Sequence, residues 1–550
     1  MFDMSRRSMR APAVAALVVC LLLVSECSNG SSSTSSKPAS TAAPASAGRQ
    51  PNIVFVLADD LDLASYTDPA KFPKFNSLMT QQGTTFSNYF VTDSLCCPSR
   101  SSILRGEYVH NHGVHTNLPP TGGFEQFHAL GNESSTIGTW MHAAGYHTGL
   151  LGKYLNGYPD TVARTYVPPG WDDWVSPSGG NPYAEYNYQL NDNGALVHHG
   201  TQPSDYLVDV LSQKAGDFIE SAPKNKPFFL YVAPYVPHQP ATPAPRYANA
   251  FPGVQAPRTP SFDQVDPTAP AWLRDRPPLT APLITTIDKL YRRRLQTMLG
   301  VDDMLANVVS SLQKSGQLDN TYIVFSSDNG FHLGQHRLPP GKQTAFEEDI
   351  HVPLVVRGPG VPKGKTVDNL AENVDLAPTF AALGHAKVPD FVNGQSLVSA
   401  LHGTTATPQR SGVLVEHYAD TPDELGARKQ RRAQKRQGAQ ATTAKTSEPD
   451  DDAAPPVAGL PTSGPTAPVI RAGQVPLVLI PSYAALRTDR YTYVEYTATG
   501  ERELYDLTAD PFELHNIAAT ADPALVAGLA KQLNALRTCT GVACRSAGAG

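Results

Sequence analysis

The run Asn52-Ile-Val-Phe-Val-Leu-Ala58, followed at once by Asp59-Asp60, is apolar at every position after the first. A strand with one wet face would alternate in polarity, so this one is expected to be covered on both sides. Phe228–Ala233 and residues 322–326 and 353–356 read in the same way, and amphipathic windows separate these runs. Short apolar strands between helices specify an α/β fold, with a large, mostly parallel sheet sandwiched by helices. The clearest window is 287–312, where Ile287, Tyr291, Leu295, Met298, Leu305, Val309 and Leu312 recur at helical spacing and form one stripe facing the sheet. Residues 375–383 give a shorter helix with Asp375 near its start.

The character changes after about residue 403. Residues 413–416, 483–496 and 503–507 read as strands and 523–536 as a terminal helix, so a smaller α+β subdomain is expected over 403–538, following the main α/β domain over 51–402. Within it, 420–475 is of low complexity. Six of the nine residues from Arg428 to Arg436 are Lys or Arg, and an acidic run follows at 448–452. This reads as a disordered insertion rather than as part of a core. Ahead of Pro51, residues 28–50 are rich in Ser, Ala, Thr and Pro, the composition of a tether. A basic head, an apolar run from Ala11 to Val24 and a small polar exit read as a signal peptide over 1–27. That run is too short for a permanent membrane span, which needs roughly 20 residues. A secreted or cell-envelope protein is therefore expected, with lipid attachment at Cys27 as the weaker alternative because Glu26 precedes it.

The chain has 550 residues, 41% hydrophobic and 17% charged, with 49 prolines, 42 glycines and a formal net charge of -6. Such a chain is globular and rich in loops, and its charge excludes a dedicated nucleic-acid binder, which needs a basic surface. An anionic substrate would have to be held by a local cluster of cations. In an oxidising compartment Cys539 and Cys544, in the tail 539–550, are expected to pair. That leaves Cys96 and Cys97 with no distant partner, either as an inert buried pair or as a functional thiol.

Chemistry concentrates where strands end. Asp59-Asp60 follow the first strand and Asp328-Asn329-Gly330 follow 322–326. Ligands of open α/β sheets bind beyond the carboxyl ends of strands, so these clusters can converge. Three carboxylates and an amide oxygen suit a hard cation such as Ca2+ or Mg2+, although Asp after a strand is also a common helix cap. Cys96-Cys97-Pro98-Ser99-Arg100 places a thiol at the start of a helix, where backbone N–H groups favour an anion or an ionised nucleophile, with Arg100 one turn in.

These last residues, continuing through Leu104-Arg-Gly-Glu-Tyr108 to His112, resemble the Cys-x-Pro-x-Arg signature of the sulfatase family, in particular its glucosamine-6-sulfatase and extracellular heparan-sulfatase branch. The resemblance runs in order from Pro51 to about Pro378 and resumes at Leu504-Tyr-Asp-Leu507, Asp510-Pro511 and Asn516. It implies that Cys96 is converted to formylglycine by a maturation enzyme. It also implies that Asp59, Asp60, Asp328, Asn329 and the modified Cys96 hold the metal, usually Ca2+ in the family and less often Mg2+, with Cys97 a bystander. Gly152-Lys153, Ala233-Pro-Tyr-Val-Pro-His238 and Gly341-Lys342 resemble further segments of the family. Arg100, Lys153 and Lys342 would then stabilise charge on the transferring sulfuryl group, and His238 or a lysine would protonate the leaving alcohol. Many relatives carry His two residues after the first of these lysines; Leu155 stands there in this chain, followed by Asn156, which leaves the acid unassigned. His115, Asn117, His332, Gln335 and His336 are weaker candidates for lining the pocket. The expected substrate is a sulfate ester on an amino sugar or glycan. A phosphonate or phosphate monoester, or a non-catalytic role in anion or glycan binding, remains the alternative. Every version requires the strand ends to meet and position 96 to be reachable.

Overall fold

The computed structural model describes residues 50–404, 410–420, 426 and 479–549. The expected signal peptide, the tether before residue 50 and nearly all of the insertion 420–475 lie outside them.

Ten strands form the main sheet: β1 (Asn52–Ala58), β2 (Thr84–Phe86), β4 (His147–Gly152), β5 (Asp173–Gly180), β6 (Tyr188–Asp192), β7 (Ala195–His199), β8 (Phe228–Ala233), β9 (Thr321–Ser327), β10 (Leu354–Arg357) and β11 (Lys365–Val367). Their order across the sheet is β11-β2-β10-β9-β1-β8-β4-β5-β6-β7. The centre is parallel, with β1 between β8 and β9, while β10 runs antiparallel to β9 and to β2, and β6 and β7 antiparallel at the far side. Every residue of β1, β8 and β9 is buried, as their unbroken apolar runs require. The strand read at 353–356 begins one residue later and runs against its neighbour. An apolar strand has the same composition in either direction, so its sense was not in the sequence.

The two faces of the sheet carry separate apolar cores. On one, the helix Ala281–Lys314 packs its stripe from Ile287 to Leu312 with the helix Leu207–Ser221. It begins earlier than the periodicity suggests because Thr280 caps it, accepting from the Leu283 N–H, and Pro282 sits in the first turn. On the other face lie the helices Cys96–Arg105, Ile137–Ala143 and Leu376–Leu383. Two short strands, β3 (Tyr89–Phe90) and β12 (Ala371–Glu372), pair beside them.

The C-terminal part forms its own antiparallel sheet, β13 (Val413–His417), β14 (Tyr483–Arg487), β15 (Tyr491–Tyr496) and β16 (Arg502–Asp506), covered by the helix Pro523–Arg537. Cys539 and Cys544 are joined by a disulfide as expected. No helix among the described residues is long and apolar enough to cross a membrane.

Candidate active site

β1 and β9 lie side by side, with Ala58 opposite Ser327, so the acidic residues that follow them emerge together. The Asp60 N–H donates to Asp328 Oδ1 at 3.0 Å, and Asn329 Nδ2 donates to Asp60 Oδ1 at 2.8 Å. Asp60 holds a left-handed backbone, φ 66°, a conformation that costs a non-glycine residue about 1 kcal/mol or more and is retained where surrounding contacts fix it. Arg294, from the middle of the long helix, braces this turn from behind by donating to the Asp60 carbonyl and to Asp62 Oδ1. Its neighbours Arg292 and Arg293 hid it in the sequence, where a basic run on a helix reads as solvated surface.

The helix Cys96–Arg105 points its first turn at these acids. Cys96 Sγ lies 3.4 Å from Asp59 Oδ1 and 3.6 Å from Asp60 Oδ1, and the helix carries Arg100 Nε to 2.7 Å from Asp328 Oδ2. Asn117 Oδ1 accepts the Cys97 N–H at 2.8 Å, satisfying an amide that the helix start leaves open. One donor atom each from Asp59, Asp60, Cys96 and Asp328 lies within 4.8 Å of the others.

Two lysines and a histidine close on this group. Lys153 follows β4, donates to Asp59 Oδ2 at 2.7 Å and stands over the ring of Tyr183 at 5.1 Å. Gly152, at φ 106°, makes its approach possible, since a Cβ there would come 2.0 Å from the Ala233 carbonyl oxygen. Lys342 donates to Asp60 Oδ1 and to Cys96 Sγ, both at 2.7 Å. His238 Nδ1 donates to the Gln239 carbonyl at 2.7 Å, leaving Nε2, 3.6 Å from Asp60 Oδ2, as the nitrogen able to take and give a proton.

Burial and these partners set the electrostatics. Burial pushes the Asp59 carboxyl up, against the pull of Lys153. Burial acts on Asp328 in the same sense, but Arg100, Lys153 and Lys342 outweigh it and hold that carboxyl below its ordinary value. The Cys96 thiol is pushed well up by burial, with Lys153 and Lys342 opposing, so it stands as a neutral thiol rather than a ready thiolate. A nucleophile at this position therefore needs chemistry that a plain cysteine does not supply. Cys96 has no exposed surface, and Arg100, Lys153, His238 and Lys342 are each at most 4% exposed. The expectation that position 96 meets solvent is not met: the side chains of Asp59, Asp60 and Lys342 lie against Cys96 Sγ.

The arrangement fits a hard divalent ion. Besides the carboxylates, the buried Asn329 Oδ1 has no hydrogen-bond donor among the described residues, although its own amide group is held against Asp60. An orphaned carbonyl oxygen beside three carboxylates is a donor set that Ca2+ or Mg2+ takes.

The weaker candidates are placed elsewhere. His332 Nδ1 meets both Asp349 oxygens at 2.9 and 3.0 Å, and the same carboxylate accepts from Thr344, so this pair shapes the loop that carries Lys342. Gln335 Oε1 accepts the Leu333 N–H at 2.6 Å. His336 stacks on Phe346 at 3.7 Å, and His115 on Tyr418 at 4.1 Å. Leu155 is buried in the apolar core, and Asn156 donates to the Tyr183 hydroxyl at 3.3 Å. Asp93, which the sequence did not single out, is fully buried with neither carboxylate oxygen hydrogen-bonded among the described residues; burial and Glu416 push it well up while Lys342 pulls it down.

Comparison with known proteins bears on the same residues. The chain is 36% identical over 522 residues to the N-acetylglucosamine-6-sulfatase of Homo sapiens, a match spanning 91% of this chain and 87% of the relative. It is 37% identical over 380 residues to a putative extracellular sulfatase Sulf-1 homolog of Caenorhabditis elegans, covering 67% and 52% respectively. Among solved structures it resembles a protein in complex with its substrate D-glucosamine-2-N,6-O-disulfate, with a TM-score of 0.68, 23% identity and coverage of 88% and 97%; this likeness concerns the fold. The phosphonate monoester hydrolase of Silicibacter pomeroyi shares the fold at a TM-score of 0.60, 23% identity and coverage of 88% and 93%. Residues 51–386, which hold every residue of the cluster at the strand ends, match the Sulfatase family, and the chain belongs to it.

Proposed function

We propose that this sulfatase hydrolyses an O-sulfate ester on an amino sugar or sulfated glycan, using Cys96 in its formylglycine form beside a divalent cation of calcium's type. The observation that carries the reading is the convergence of Asp59, Asp60, Cys96 and Asp328 within 4.8 Å, ringed by Arg100, Lys153 and Lys342. Relatives named N-acetylglucosamine-6-sulfatase, matched over nearly their whole length, support the amino-sugar class. Relatives named extracellular sulfatases, together with the N-terminal leader, support export.

The charges explain the geometry. Three carboxylates face three cations, and each cation is drawn onto a carboxylate: Lys153 to Asp59, Lys342 to Asp60, Arg100 to Asp328. When bound, a divalent cation held by Asp59, Asp60, Asp328 and Asn329 polarises a sulfate oxygen and lowers the pKa of a hydroxyl beside it. With the carboxylates so engaged, Lys153 and Lys342 are available to the sulfate oxygens, on which negative charge grows as the ester bond breaks. The aldehyde hydrate implied for Cys96 would place a hydroxyl where Sγ stands, with Asp59 and Asp60 positioned to receive its proton and Lys342 to donate to its oxygen. His238 Nε2, when protonated, is the group able to protonate the departing alcohol, since Leu155 carries no proton.

The test is a parallel assay of N-acetylglucosamine-6-sulfate, an aryl sulfate and a phosphonate monoester with protein matured in its own host. Faster turnover of the sulfated sugar, abolished by chelation, is the expected result. A preference for the phosphonate would overturn the substrate class.

A further inference from the structure

Beyond the strand-end cluster, the described residues hold a second meeting of metal-binding side chains that the reaction does not use: His336, Glu348 and Glu513, with one donor atom from each within 4.8 Å of the others. His336 and Glu348 bracket the segment that carries Lys342, whereas Glu513 comes from the turn after β16 in the C-terminal sheet. His336 is 2% exposed and its Nε2 has no hydrogen-bond partner among the described residues; Glu513 is 1% exposed and its Oε1 has none either. Glu513 Oε2 accepts the Glu347 N–H at 3.0 Å, and Glu348 Oε1 accepts the Ser261 hydroxyl at 3.3 Å. The nearest guanidinium, Arg487, is taken by Glu347 at 2.6 Å. A buried carboxylate, a half-buried one and a buried imidazole thus face one another with two orphaned atoms.

We propose that His336, Glu348 and Glu513 form a second, structural divalent-cation site of the zinc type, which staples the C-terminal sheet to the loop carrying Lys342. One imidazole nitrogen with two carboxylate oxygens is a donor set that zinc takes, and a dication neutralises both carboxylates. Ligand atoms about 2.0–2.2 Å from a tetrahedral zinc lie roughly 3.4 Å apart, so small rotations of these side chains close the site.

The test uses the full chain, stripped with chelator and dialysed against Ca2+ with a low concentration of Zn2+, then analysed for metals by mass spectrometry and for its melting temperature. An Asp328→Asn background removes the strand-end site from the count. The expected result is one zinc per chain in that background, a melting temperature raised by Zn2+, and loss of both on adding Glu513→Gln, with zinc affinity reduced by about 100-fold or more. His336→Gln gives the same readout should Glu513→Gln fail to fold. Zinc content that is zero in the Asp328→Asn protein, or that is unchanged by the Glu513 and His336 substitutions, overturns the proposal. Neither result depends on turnover, so it stands or falls apart from the sulfate-ester reading.

Discussion

Arg410 donates to both oxygens of Asp375, at 2.8 and 2.9 Å, and to Glu372 at 3.3 Å, and the Tyr108 hydroxyl donates to the same Glu372 carboxyl at 3.0 Å. At the strand ends, the equally buried Asp59, Asp60 and Asp328 are met by Arg100, Lys153 and Lys342, and Asn329 Oδ1 is still left without a donor. Both clusters are dry and both balance their charge, but they do so differently. Around Arg410, one guanidinium serves two carboxyls, and burial pushes Glu372 up to about 8 against the pull of Arg410. At the strand ends, three full charges of each sign point at one small volume, and the cations sit where a substrate anion would draw them away. The first arrangement holds the fold; the second stores electrostatic potential for a ligand.

The comparison breaks most sharply at position 96. Cys96→Ala removes the proposed nucleophile and no packing of consequence, so turnover of a sulfate ester should fall by about 10⁴-fold or more. The melting temperature should stay within a few degrees of the parent. An equal loss of stability and activity would place Cys96 with the structural cluster instead.

The opposite signature belongs to Arg410. Arg410→Met leaves Asp375 buried and unpaired, and should cost about 3–5 kcal/mol of unfolding free energy, read by denaturant titration. The KM of the protein that remains folded should not change. A cost near that of an exposed ion pair, below about 1 kcal/mol, would remove the distinction between the two regions.

Lys342→Ala is next. If Lys342 contacts the sulfate as proposed, about 10²–10³-fold should be lost from kcat. The variant should still bind Ca2+, since Lys342 competes with the cation for Asp60. Loss of cation affinity on its removal would show that the lysine supports the metal site rather than the substrate.

The smallest effect is the pH dependence of stability. Because Glu372 has a folded-state pKa of about 8, above the ordinary 4.5, its contribution is fully present below pH 4.5 and is lost as pH rises towards 8. Glu372→Gln, which keeps the neutral form at every pH, should flatten that part of the stability profile measured by urea unfolding. An unchanged slope would show that Glu372 is ionised beside Arg410.

The parts legible in the sequence were those in which local chemistry and position coincide. The buried character of β1, β8 and β9 was written in their unbroken apolar runs, and the meeting of Asp59-Asp60 with Asp328-Asn329 followed from where ligands collect on such sheets. The direction of β10 was not legible, because apolar composition carries no polarity. Arg294, hidden in a basic stretch of helix, could be assigned to the Asp60 turn only once the helix had a rotational setting. His332 and His336 were drawn towards the pocket by their nearness in the chain to Asp328, yet one turns to Asp349 and the other to Phe346 and Glu513. The complete burial of Cys96 arises from elements remote in sequence closing over it, which no motif records.

The account rests on what occupies position 96 in the mature protein. Mass spectrometry of the peptide containing Cys96 and Cys97, taken from protein made in its own host, tests this directly. An aldehyde in place of the Cys96 thiol, with Cys97 unaltered, is the predicted result. An intact Cys96 thiol throughout a preparation that hydrolyses sulfate esters at full rate would contradict it.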